Sequence, residues 1–268
     1  MTRLLAALAA ALLTAGIVSA ADTPAKVTIR WHGQSFFEIQ SSKGTRIVTD
    51  PHFIDAFGRP DVSADVILIS HEHDDHNQPE AVKNFQRAKI LHGLRGSAKR
   101  PEWNAIDETF RDVRIRSVGV YHDKVEGMAK GKNTIFVLEM DGLHIVHLGD
   151  LGHLLSDKDI KKIGPVDVLM IPVGGVYTLN GSDAKEVVAQ LKPRQYIVPM
   201  HHGTKEFQDL LPPDEFLEDQ RNIKDLRDPG PKKSPRVYTN ELVVETNFKP
   251  PEPVIVLLHW QAMKKTSP

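Results

Sequence analysis

Short apolar runs rich in β-branched residues recur along the chain between turn residues, and each predicts a strand. They are Val27 to Trp31, Phe36 to Ile39, Arg46 to Thr49, Val66 to Ile69 and Arg114 to Val120, followed by Thr134 to Met140, His144 to Leu148, Val166 to Ile171, Gln195 to Val198 and Val254 to Leu258. Gly33, Gly44 and Gly149 punctuate them, and Asp141-Gly142 between two runs is a strong hairpin signal. Two segments, Asp65 to Ile69 and Asp167 to Ile171, are continuous rather than alternating apolar runs, which predicts burial on both faces. Their likeness hints at two related halves. Helical spacing over Pro79 to Gln86, Asp157 to Lys162, Asp183 to Leu191 and Lys205 to Leu211 falls between strands. Strands alternating with helices argue for α/β layers.

The first twenty residues belong outside this pattern. Arg3 precedes the apolar run Leu4 to Val18, which ends in Val18-Ser19-Ala20, and this reads as a secretory signal peptide cleaved after Ala20. The run is shorter than the roughly 20 residues that span a bilayer, so no stable membrane anchor is expected after cleavage. The expected mature protein, residues 21–268, is a single domain exported to a periplasm or secreted. Residues 212–253 hold eight of the 18 prolines and a mixed-charge segment, Asp214 to Lys233, which predicts an irregular lobe with no legible chemistry.

Composition narrows the chemistry. The 268 residues include 13 His and no Cys, so a thiolate nucleophile, a Cys-liganded metal and a disulfide framework are all excluded. Any metal must be held by His, Asp or Glu. A formal net charge of -1 carries no electrostatic footprint for nucleic acid, so a small-molecule substrate is expected and a nuclease is disfavoured. Nothing in the pattern fixes an oligomeric state.

The informative segment is His71-Glu72-His73-Asp74-Asp75-His76, directly after the apolar strand that ends before Ser70. Burying six ionisable groups without compensation would cost more than the net stability of a domain, so they must be solvated or satisfied by a cation. In an extended turn His71 and His73 can converge on one side while Asp75 and His76 swing to an adjacent position, a geometry suited to two neighbouring metal ions.

This His-x-His-x-Asp-His pattern at a strand's end resembles the signature of the metallo-β-lactamase fold hydrolases. Trp31-His32-Gly33-Gln34-Ser35-Phe36-Phe37 and Thr49-Asp50-Pro51 look like the opening strands of that family, and His147-Leu148-Gly149-Asp150-Leu151-Gly152-His153 resembles its Gly-Asp motif. Ile171-Pro172-Val173-Gly174-Gly175 and Pro199-Met200-His201 resemble later elements of the branch that includes ascorbate 6-phosphate lactonase and N-acylphosphatidylethanolamine phospholipase D type enzymes. The resemblance runs from about Val27 to Thr204 and implies a four-layer αββα sandwich. It further implies a first metal on His71, His73 and a third His, for which His122 fits and His147 is the rival, and a second metal on Asp75, His76 and His201, with Asp150 shared. Asp50 resembles the carboxylate that orients a metal-bound imidazole. His202 would face substrate or solvent, and His32, His153 and Tyr177 are weaker pocket candidates.

Two divalent ions, zinc by default with manganese or iron as alternatives, lower the pKa of water to about 7 and make hydroxide available at neutral pH. Asp75 and Asp150 would carry the catalytic roles, Asp75 by orienting the nucleophile. The expected activity is hydrolysis of an ester, lactone, amide or phosphodiester. A non-catalytic metal-binding protein of the same fold is the alternative.

Overall fold

The computed structural model describes residues 24–97, 99–227 and 239–261, and the signal peptide expected over residues 1–20 lies outside them. Among the described residues the strands are, in chain order, β1 (Lys26–Trp31), β2 (Phe37–Gln40), β3 (Arg46–Thr49), β4 (Val66–Ile69), β5 (Lys89–His92), β6 (Leu94–Ser97), β7 (Arg100–Trp103) and β8 (Asp107–Phe110). Then follow β9 (Val113–Tyr121), β10 (Lys132–Met140), β11 (Leu143–His147), β12 (Val168–Pro172), β13 (Tyr196–Met200), β14 (Ile223–Asp225), β15 (Glu241–Glu245) and β16 (Val254–Leu257). The helices are α1 (Asp157–Ile163), α2 (Gly181–Leu191) and α3 (Asp214–Leu217). No helix among the described residues is long and apolar enough to cross a membrane.

Two sheets stack face to face. One runs β15-β1-β2-β3-β4-β5, the other β14-β16-β13-β12-β11-β10-β9-β8, with β6 and β7 a separate hairpin. The alternating strands of the first sheet turn Val27, Ile29, Trp31, Phe37 and Ile39 inward to meet Ile115, Phe136, Leu138, Ile145, Met170 and Val198 of the second. The two continuous apolar runs are β4 and β12, each inside its own sheet and buried on both faces as their pattern requires. In β4, Val66 and Leu68 enter the core between the sheets while Ile67 and Ile69 pack outward. Met140 and Leu143 pair across Asp141-Gly142, whose φ values of 50° and 76° make the two-residue turn that matches strand twist.

The outer face of the second sheet is covered by α1 and α2, which bury Ile163, Ala184, Val187 and Leu191. Ser156 and Asp159 close a capping box on α1, and Asn180 caps α2 by accepting the Asp183 N–H. The corresponding layer over the first sheet is thin. The helix expected over Pro79 to Gln86 is instead two 3₁₀ turns, Pro79–Ala81 and Phe85–Arg87. Lys83 N–H donates to Val62 O, and the Asn84 amide both donates to and accepts from the Ala64 backbone, so tertiary hydrogen bonds replace the helical ladder. The helix expected over Lys205 to Leu211 is also absent. There the Thr204 hydroxyl accepts from the Glu206 and Phe207 N–H groups, and Leu211 N–H goes to Gly174 O, tying the segment to the end of the neighbouring strand β12. Residues 212–253 are less irregular than their prolines suggest, since α3 lies in them, β14 joins the second sheet and β15 pairs with β1; residues 228–238 of that range lie outside those described.

Candidate metal centre

Strand direction brings the chemistry to one edge. β9, β10 and β11 alternate in direction while β11, β12 and β13 are parallel, so β9, β11 and β13 all run the same way. His122, Asp150 and His201 follow their carboxyl ends. On the facing sheet β3 and β4 are parallel, and Asp50 and Ser70 to His76 follow theirs.

All seven residues singled out as metal donors meet there. His71 Nε2 and His73 Nδ1 lie 3.0 Å apart. Asp150 Oδ2 is the hub, at 3.1 Å from His122 Nε2, 3.1 Å from His201 Nε2, 3.2 Å from His76 Nε2 and 3.9 Å from His71 Nε2. Asp75 Oδ2 lies 3.4 Å from His76 Nε2 and 3.9 Å from His201 Nε2. Three donor groups result: His71 with His73 and His122, His71 with His76 and Asp150, and Asp75 with His76 and His201. His71, His76, His122, Asp150 and His201 are buried, Asp75 is half-buried and His73 is exposed, so the cluster opens to solvent on one side.

Close backbone approaches hold these loops together. A Cβ on Gly149 would stand 2.4 Å from Asn133 Oδ1 and 2.8 Å from Ser70 Cβ, and one on Gly174 would stand 2.2 Å from His201 O. Three non-glycine residues at the centre, Gln34, Asp50 and His201, have φ between 43° and 49°, a left-handed conformation that L side chains rarely adopt and that collects at working sites.

Hydrogen bonds fix which ring nitrogens are free. Asp50 is fully buried; its Oδ1 accepts the Ser70 N–H and its Oδ2 accepts the Ser70 hydroxyl, both at 2.7 Å. Because Ser70 commits its only hydroxyl proton to Asp50, its oxygen must accept from His71 Nδ1 at 2.9 Å, which leaves His71 Nε2 with a lone pair facing the cluster. Asp50 Oδ2 also accepts the His76 Nδ1–H at 3.0 Å, which turns His76 Nε2 towards the cluster. His147 is engaged elsewhere. Its Nδ1 accepts the Gly149 N–H and its Nε2 donates to Ser35 O at 3.0 Å, so it has no donor atom left and stays out of the cluster that His122 enters.

The electrostatics match. Burial holds His71 well below the ordinary histidine pKa, reinforced by the charges of His76 and His122, and it lowers His73 as well. Burial also opposes charge on His76, yet Asp150, Asp50 and Asp75 outweigh it and raise that imidazole well above the ordinary value. Burial would likewise raise Asp75 and Asp150, but His76 and His201 overcome it and hold both carboxyls far below the usual range. Neutral His71 and His73 beside the ionised Asp75 and Asp150 are ready to bind a divalent cation, whereas the carboxylates around His76 favour its protonated form, so a cation bound there displaces the Nε2 proton. His76 Nε2 and Asp150 Oδ1 are buried without a hydrogen-bond partner, so the residues present fit a metal.

The remaining sequence candidates sit elsewhere. His202 does not face substrate or solvent: it is buried with its ring 5.2 Å from Trp31 and its Nδ1 on Gly203 O, and burial pushes its pKa down to about 4. His153 uses both ring nitrogens on the backbone of Tyr121 and Leu154, and His32 packs on Phe36 beside Glu38. Tyr177 is exposed on the loop after β12, where Lys130 Nζ lies 5.2 Å from its ring centroid. Sequence reasoning missed three residues that build the centre: Ser70, Asn133, whose amide accepts from Asp150 N–H and donates to Leu148 O, and Gln34, whose Nε2 donates to Asp75 Oδ2 at 2.9 Å. Ser70 adjoins the histidine-rich turn and Gln34 lies within the Trp31 to Phe37 motif, whereas no motif adjoins Asn133.

A two-sheet sandwich with a histidine and aspartate cluster at the strand ends defines the metallo-β-lactamase class. The chain belongs to it: residues 28–201 match the β-lactamase superfamily domain. A UPF0173 metal-dependent hydrolase of Thermococcus onnurineus is 31% identical over 195 residues, covering 66% of this chain and 85% of the relative, and one from Thermoplasma volcanium is 31% identical over 199 residues with 66% and 84% covered. A Thermotoga maritima structure named as a Zn-dependent hydrolase of the metallo-β-lactamase superfamily superposes with a TM-score of 0.62 at 32% identity, covering 87% of this chain and 98% of that one. The protein is thus one of the metal-dependent hydrolases of this superfamily.

Proposed function

We propose that the chain is an exported hydrolase that holds two divalent cations, zinc by default, and cleaves an ester, lactone, amide or phosphodiester bond in a small substrate. One observation carries the reading: two sets of donors flank Asp150, whose Oδ2 lies 3.1 to 3.2 Å from three imidazoles delivered by three different loops. His71, His73 and His122 would hold one cation and Asp75, His76 and His201 the other, with Asp150 between them. When bound, such a pair supplies solvent with a pKa near 7 and polarises an acyl or phosphoryl oxygen.

The chain's own residues set the stage for that chemistry. Asp50 and Ser70 fix the tautomers of His76 and His71, while Asn133 holds the Asp150 backbone in place. Asp75, ionised and half-buried, is an acceptor at the solvent-facing side, suited to orienting an attacking water. The loops that continue from the donor residues carry exposed apolar side chains: Val125 and Met128 after His122, Leu154 after Asp150, Leu211 after His201, and Val176 and Tyr177 after β12. Lys130 Nζ reaches Val176 O at 2.8 Å and Leu211 N–H reaches Gly174 O, tying neighbouring loops of this group together. Such a concentration of apolar side chains supports a substrate with an apolar group beside the scissile bond.

The test uses zinc-loaded mature protein with p-nitrophenyl butyrate and bis(p-nitrophenyl) phosphate. At least one should be hydrolysed above the protein-free rate, and His73→Ala should reduce turnover to background. Undiminished turnover in His73→Ala, or inertness of the loaded protein towards both, would refute the reading.

A further inference from the structure

Gln34 lies in the tight turn after β1, where His32 N–H donates to Phe36 O and Phe36 N–H donates to Gly33 O. It is 2% exposed and has a φ of 49°, so the fold keeps a side chain in a conformation where glycine would be easier. Its carbonyl accepts from Trp31 Nε1 at 2.9 Å and from the His201 backbone N–H at 3.1 Å. Its amide nitrogen donates to Asp75 Oδ2 at 2.9 Å, and that same oxygen faces His76 Nε2 and His201 Nε2. One residue therefore touches two of the three donors in the Asp75, His76 and His201 group, one by its main chain and one by its side chain.

We propose that Gln34 is the positioning residue of the second cation site, aiming Asp75 at a divalent cation shared with His76 and His201. The inference rests on the two-cation reading above. Glutamine suits this position because a neutral amide orients the carboxylate and leaves its negative charge whole for a cation, whereas Lys or Arg would neutralise it and a carboxylate would repel it. The amide orientation follows from chemistry, since Oε1 against Asp75 would set two acceptors face to face. Oε1 is buried with no hydrogen-bond partner, so the side chain is held there by its bond to Asp75.

Gln34→Gly separates this role from a structural one, because glycine accepts the left-handed turn, keeps the carbonyl that receives Trp31 and His201, and removes the side chain that carries the amide. Zinc binding to wild type and variant is measured by competition with a chromophoric chelator, metal per chain by elemental analysis, and the donor environment by the visible spectrum of the cobalt-substituted protein. The expected result is an unfolding midpoint at or above that of wild type, an unchanged tighter site, and a weaker site that loses about 10- to 100-fold in affinity, the usual effect of removing a group that orients a metal ligand. Gln34→Glu, nearly isosteric but without the donor, should weaken the same site or alter its cobalt spectrum. If wild type and Gln34→Gly both bind two zinc ions with equal affinity, the inference is wrong and the two-cation reading survives. If wild type binds only one, both fall.

Discussion

Asp50→Asn tests whether tautomer control shapes the centre. Asp50 accepts three protons: the Ser70 N–H on Oδ1, and the Ser70 hydroxyl and His76 Nδ1–H on Oδ2. The amide of asparagine fills the same space but offers one acceptor and two donors. With its oxygen on Ser70 N–H, its NH₂ meets both remaining partners, and each must become an acceptor. His76 then moves its proton to Nε2, and Ser70 gives its hydroxyl proton to His71 Nδ1, which moves the His71 proton to Nε2 as well. Both inward lone pairs are lost. With the amide reversed the lone pairs survive, but the NH₂ opposes the buried Ser70 N–H, leaving donors unsatisfied at about 1–3 kcal/mol. The protein adopts whichever arrangement is lower in free energy, so the sum of losses in metal binding and stability should reach about 1–3 kcal/mol, seen as an affinity drop of about 10- to 100-fold where the tautomers switch. Chelator competition reads the affinity and urea unfolding of the metal-free protein reads the stability. An Asp50→Asn protein that binds zinc within about twofold of wild type and loses less than about 0.5 kcal/mol of stability would refute the reasoning.

Two further outcomes concern regions away from the donors. Burial lowers the pKa of His52 from 6.5 to about 4, its Nε2 lying 3.2 Å from Gly33 O; the folded state prefers the neutral ring, so its contribution is complete above pH 6.5, shrinks as pH falls because the unfolded chain takes up the proton first, and levels off below about 4. The stability advantage of wild type over His52→Gln in urea unfolding should therefore shrink by about 3 kcal/mol between pH 7 and pH 4, and a pH-independent difference would refute the assignment. The apolar run behind Arg3 is expected to direct export, so full-length chain expressed in a bacterium with a secretory pathway should be recovered from the periplasm or medium beginning at Ala21, as read by intact mass. Recovery from the cytosol with residues 1–20 attached would overturn that expectation.

Of the strands invisible to pattern reading, β6 and β7 form the separate hairpin and the other four share a common place in the fold. β15 and β5 end the first sheet, and β14 and β8 end the second. β5 and β14 show no burial alternation and β8 alternates only between exposed and half-buried, while β15 alternates in burial but carries apolar Val243 on its exposed face, so no apolar periodicity marks any of them. Polar edges also discourage pairing with other chains, which is why sequences such as Asp107-Glu108-Thr109-Phe110 occur there. Central strands must exclude water on both faces, and β4 and β12 announced themselves for that reason. The helical spacing over Pro79 to Gln86 misled because a short amphipathic segment can satisfy its backbone on a neighbour as well as on itself, and Ala64 and Val62 were the neighbours.

At the centre a similar division holds between what a side chain is and what its neighbours make it. His71 to His76 are legible because six ionisable groups in a row have no reading as core, and His122, Asp150 and His201 become legible through the motifs around them. Whether a given imidazole can serve as a donor depends on which nitrogen carries the proton, and that is decided by Asp50, 26 residues before His76, by way of Ser70 for His71. The same rule disposes of His147: as a strand histidine beside the Gly-Asp element it competes with His122 on paper, but the Gly149 N–H and Ser35 carbonyl claim both its nitrogens. Gln34 is the limiting case, an uncharged residue 41 positions from the carboxylate it holds, in a motif that marks an opening strand and carries no sign of a contact with Asp75. Residues that bind by their own chemistry can be read along the chain, whereas residues that act by setting another's proton or direction emerge only when folding brings the pair together.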